Sequence, residues 1–96
     1  MATLMVGYDL NKPDQDYKDL IEYLESLGTW WHHLDSTWLV VTHISAKELG
    51  DKLRTLIGPA DELLVMDITD DDWASIGFTS RANDWLQQNT VSKRAV

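Results

Sequence analysis

No cysteine occurs in the 96 residues, which excludes a disulfide frame, a thiol nucleophile and a thiolate zinc site. Bases are scarce too: eight Lys and Arg stand against sixteen Asp and Glu, a formal net charge of −8. Those eight (Lys12, Lys18, Lys47, Lys52, Arg54, Arg81, Lys93 and Arg94) are scattered and form no basic stripe. Phosphate backbones are held chiefly by Lys and Arg, so any binding of nucleic acid by one chain is expected to be weak. No glycine-rich phosphate loop is present. No apolar run approaches a membrane span, and no basic-then-apolar leader opens the chain. The expectation is a cytoplasmic protein without membrane contact.

What remains is ordinary globular material. Hydrophobic residues make up 44% of the chain, enough for a packed core and too many for a disordered segment. The length suits one domain. Residues 1–90 read as that domain, and 91–96 as a flexible C-terminal tail.

Strand-like and helix-like patterns alternate along the chain. Leu4 to Asp9 is an apolar strand ending in an acid. The Pro13-Asp14 step then opens a helix in which Tyr17, Leu20, Ile21, Leu24 and Leu27 recur at three- and four-residue spacing, with Gly28 closing it. Thr29 to His43 is rich in Trp, Val, Thr and His, with Asp35-Ser36 as a hairpin turn. Ser45 and Glu48 match a capping box that starts a second helix, whose apolar face is Leu49, Leu53, Leu56 and Ile57. Gly58-Pro59 ends it. A fourth strand runs from about Glu62 to Ile68, and a short helix from about Ser80 to Gln88 can dock Trp85 and Leu86.

The order β-α-β-β-α-β plus one helix predicts an α+β fold, the ferredoxin-like antiparallel sheet with two helices on one face. A regular hairpin about Asp35-Ser36 puts Trp31, His33, Trp38 and Val40 on one face, and Trp30, Leu34, Leu39 and Val41 on the other. Both faces are then apolar while the two long helices cover only one. A partner chain or the terminal helix must cover the second, and a homodimer burying Trp31, Trp38 and Val40 is the expected solution.

Candidate chemistry centres on Asp9. A carboxylate at the tip of a strand sits where α/β proteins often keep functional groups, although turn and cap residues occupy the same place. His32 and His33 are neighbours on a strand and point to opposite faces, so with Asp35 they do not suggest one metal site. Asp70-Asp71-Asp72 lacks the spacing and glycine of a calcium loop and reads as solvated. Ser36 and Ser75 have no nucleophile context. The five tryptophans, without interleaved bases, read as core and interface.

The strings Tyr8-Asp9-Leu10-Asn11-Lys12-Pro13, Gly28-Thr29-Trp30-Trp31-His32 and Asp35-Ser36-Thr37-Trp38-Leu39 sit on this plan of elements. Over roughly residues 3–70 the chain resembles the small ferredoxin-like subunit of the CRISPR adaptation machinery and the virulence-associated protein D toxins. It is most similar to a bacterial and phage-borne branch near those families. The resemblance implies a small dimeric metal-dependent endonuclease in which Asp9 from each subunit is the catalytic residue and metal ligand, with Mg²⁺ or Mn²⁺ as the ion. Some such relatives serve only as scaffolds. The alternative from charge is a non-catalytic dimeric interaction module, a regulator or inhibitor whose acidic surface meets a basic protein partner.

Overall fold

Period-two alternation in the first strand puts Leu4 and Val6 on one side and Thr3 and Met5 on the other, and a sheet with two buried faces follows from it. In a computed structural model, which describes residues 1–11, 17–90 and the backbone of 94–95, the chain is α+β. The elements are β1 (Ala2–Asp9), α1 (Lys18–Ser26), β2 (Trp30–Leu34), β3 (Thr37–Thr42), α2 (Ala46–Arg54), β4 (Glu62–Asp67), β5 (Ala74–Ser75), α3 (Ser80–Asn89) and β6 (Arg94–Ala95). Four strands form one antiparallel sheet in the order β2-β3-β1-β4, and β5 and β6 make a separate parallel pair. The expected helix start at Pro13-Asp14 lies outside the described residues. So do residues 91–93 and 96 of the expected tail, while Arg94 and Ala95 pair with β5.

The first face is the main core. Leu4 and Val6 of β1 and Trp38 and Val40 of β3 pack with Leu20 and Leu24 of α1 and Leu49 and Leu53 of α2, all fully buried. These are the apolar helix positions expected from the three- and four-residue spacing. The Ser45–Glu48 capping box forms as expected, with the Ser45 hydroxyl accepting from the Glu48 N–H and the Glu48 carboxylate from the Ser45 N–H. Asp61 anchors the end of the same layer: its carboxylate accepts from the Asn11 N–H (2.7 Å), the Gly58 N–H (2.8 Å) and the Tyr17 hydroxyl (2.9 Å). That cluster holds Tyr17 at φ 52°, a left-handed conformation uncommon for a tyrosine.

The second face is covered by the C-terminal segment. Trp31 and Leu39 bury against Ala82 and Leu86 of α3, with Met5, Ile68, Trp73, Phe78 and Trp85 packed around them. A buried indole needs an acceptor for its N–H, and three tryptophans find theirs across this layer. Trp31 donates to the Ala82 carbonyl (3.2 Å), Trp85 to the Thr29 hydroxyl (2.9 Å) and Trp73 to the Thr90 hydroxyl (2.7 Å). Among the described residues no buried side-chain nitrogen or oxygen lacks a partner.

The hairpin departs from the regular register. Leu34 pairs with Thr37 as the Asp35-Ser36 turn requires, but Trp31 pairs with Leu39 and Trp30 with Val40. Two residues of β2, His32 and His33, therefore stand opposite one of β3, Trp38, a bulge. One extra residue exchanges the faces of everything beyond it. Trp31 and His33 consequently join Leu39 on the second face, while Trp30 and His32 join Trp38 and Val40 on the first. The expected dimer surface is corrected accordingly. Trp31 is 6% exposed under α3, Trp38 and Val40 are fully buried under α1 and α2, and the three share no surface.

Candidate functional site

The cover over the second face is incomplete. Strand registers place Leu34, Thr37, Gly7 and Leu64 in one row across all four strands, with Met5 and Met66 in the next row. α3 lies over the Trp31–Leu39 part and leaves the row nearest the hairpin turn open. Leu64 is 57% exposed, and Leu34 and Met66 are each 46% exposed. A groove of about 390 Å³ runs from this open row under the Trp73–Phe78 segment, floored by Met5, Met66 and Ile68. Gly7 lies inside β1, one of the two inner strands, and a side chain there would meet no atom within 4 Å. Glycine inside a strand weakens it and often marks a place where another chain or ligand comes close.

Acids flank the strip. Asp9 is exposed at the tip of β1, directly opposite Glu62 at the start of β4, and both alternate onto the second face. Side chains opposite each other on antiparallel strands have Cβ atoms roughly 4.5–5.5 Å apart, so this pair places like charges side by side at a stability cost. The Asn11 amide donates to the Asp9 main-chain carbonyl (3.4 Å). At the other end of β4, Asp67 accepts from both the hydroxyl and the N–H of Thr69. Those bonds, the hydroxyl's first, hold its carboxyl below the ordinary aspartate range.

The other sequence candidates are placed as follows. His32 stacks on Trp38 at 4.0 Å between ring centroids, whereas His33 meets Phe78 edge-on at 4.9 Å. The two imidazoles thus lie on opposite faces. Ser75 donates to the Asn83 side chain, and Ser36 accepts from the Tyr8 N–H through its main-chain carbonyl (3.1 Å). Among the described residues no group of three or more His, Asp or Glu side chains is arranged to hold a metal ion. No helix among them is long and apolar enough to cross a membrane. Sequence reasoning missed the open row of Leu34, Thr37, Gly7 and Leu64, because its members come from four strands and only the register aligns them. It also missed Asp61, a loop carboxylate with nothing in its neighbourhood to mark its two distant donors, Asn11 and Tyr17.

Comparison of the chain with family models, with curated proteins and with solved structures finds no match.

Proposed function

We propose that this chain is a non-catalytic interaction module that meets a basic protein partner on the open part of its second sheet face. One observation carries the reading: an exposed apolar strip of Leu34, Leu64 and Met66 beside a bare Gly7, bordered by Asp9 and Glu62. Exposed apolar side chains on one sheet face with acids at the rim mark a contact site. The facing acids are costly when solvated alone and favourable against Lys or Arg. The strand order β2-β3-β1-β4, with α1 and α2 on one face, supports reading the sheet as ferredoxin-like. The homodimer expected from the sequence loses its motive, since α3 covers much of the face that needed a partner.

The test is a titration of ¹⁵N-labelled protein with a peptide of alternating leucine and lysine, followed by NMR. Backbone amides of Leu34, Gly7, Leu64 and Met66 should shift together and saturate. Charge reversal in Asp9→Lys/Glu62→Lys should weaken binding about tenfold or more, as for a rim that steers by complementary charge. Shifts that avoid the strip, or a reversal without effect, would overturn the reading.

A second reading rests on the Asp9–Glu62 pair itself. Two carboxylates on one face suit a hard divalent cation such as Mg²⁺ or Mn²⁺, which takes one or two carboxylates and keeps several waters. When bound, such an ion polarises a phosphate oxygen and acidifies an attacking water. This endonuclease reading requires Mg²⁺- or Mn²⁺-dependent cleavage of RNA or DNA that vanishes in Asp9→Asn while the fold survives. The interaction-module reading requires none in the wild type.

A further inference from the structure

The outer edge of β4 has the features of a strand-addition site, and we infer that it takes an extended, basic-ended segment of the partner as a fifth strand. The inference rests on the interaction-module reading above and specifies how that partner is held. Edge strands present unpaired N–H and C=O groups, and most proteins guard them with bulges, proline or lysine. The two edges of this sheet differ in that respect. β2 carries the His32-His33 bulge. β4 pairs with β1 without a break over its six residues, Glu62 to Asp67, and contains no Pro, Gly or Lys. Among the described residues no strand lies beyond it.

Room for another chain exists on the same side. A groove of about 440 Å³ lies between β4 and α2, lined by Leu63, Val65 and Ile57 and by the small residues Ala46 and Gly50. A side chain at Gly50 would meet nothing within 4 Å, so this wall of the helix stands low. Lys47 and Arg54 at the rim turn toward Asp51 on their own helix, at 2.8 and 2.9 Å. An added strand would thus bury alternate side chains on both faces, Leu63 and Val65 on the helix side and Leu64 and Met66 on the other.

Charge decides the occupant. A second copy would bring together two chains that each carry −8, along an edge that begins at Glu62 and ends at Asp67. Like net charge on the two chains disfavours that pairing. A segment with apolar residues in alternation and Lys or Arg at each end places its cations against the same two acids. The fit is to a basic strand from another protein.

The experiment uses a six-residue peptide of alternating Val and Thr between terminal lysines, which puts the two lysines on opposite faces as Glu62 and Asp67 are, a version N-methylated on one edge, and a version with glutamate ends. The unmodified peptide should bind saturably and protect from hydrogen exchange those β4 amides that do not bond β1. N-methylation and glutamate ends should each weaken binding about tenfold or more, because strand addition depends on main-chain hydrogen bonds. Equal binding of the methylated peptide, with shifts at Leu34 and Gly7, would overturn strand addition while leaving the apolar strip as the site. Binding by none of these peptides, while the leucine–lysine peptide still shifts Leu34 and Gly7, would overturn strand addition alone. A chain that already runs at twice its mass at neutral pH, with those amides protected, would make the occupant a second copy and defeat the inference.

Discussion

Trp31 donates its indole N–H to the main-chain carbonyl of Ala82, 3.2 Å away and 51 positions later in the chain. That bond fixes the first turn of α3 over the second face, and with Leu39 and Leu86 it closes the smaller of two cores. Trp31→Ala should cost about 3–5 kcal/mol, as large-to-small changes at buried aromatics do. Trp31→Phe, which keeps most of the ring volume but loses the donor, should cost about 0.5–1.5 kcal/mol through the hydrogen bond. Denaturant titration gives both values. Hydrogen exchange should show α3 losing protection before β1 in each variant, and uniform loss across the chain would contradict the two-core description.

Leu24 and Leu53 are fully buried from opposite helices into the first core. Truncation of either to Ala should destabilise by about 2–5 kcal/mol, depending on how far the cavity collapses. Losses below about 1 kcal/mol at both sites would be incompatible with this packing.

Two glycines should respond in opposite senses to alanine. Gly28, just past α1, has φ +147°, and a side chain there would lie 2.5 Å from the Val41 carbonyl oxygen. Gly28→Ala should therefore destabilise by more than about 1 kcal/mol. Gly7 has open space and ordinary strand geometry, so Gly7→Ala should stabilise by about 0.4–1 kcal/mol. The same substitution should weaken binding of the leucine–lysine peptide, because it fills the gap in the contact strip. Thermal melts with the titration separate the two effects.

The Lys47 ammonium and Arg54 guanidinium hold the Asp51 carboxyl below the ordinary aspartate range, Lys47 contributing most. A folded-state value below the unfolded one means that the ionised form favours folding. The stabilisation is present above the unfolded aspartate value and is lost as pH falls through the depressed folded value. Asp51 is exposed, so the effect is small and salt-sensitive. Melting temperatures of the wild type and Asp51→Asn should differ at neutral pH and converge in acid. A gap that widens on acidification would reverse the sign argued here.

Much of the fold is legible in the chain because local rules act locally. The spacing of Leu20, Leu24, Leu49 and Leu53, the Ser45–Glu48 capping box and the Asp35-Ser36 turn each depend on residues a few positions apart. Those relations set the helical faces and the succession of elements before any tertiary contact exists. The sequence also places an acid at the end of β1.

Tertiary structure decided the rest. A single extra residue at His32-His33 set which tryptophan faces which core, and nothing in the local pattern distinguishes a bulged from a regular pairing there. Long-range pairing brought Asp9 opposite Glu62 and aligned Leu34, Gly7 and Leu64 in one open row, although the three stand far apart in the chain. Docking of α3 covered Trp31 and left that row exposed, because one helix about 10 Å across cannot cover strands about 20 Å long.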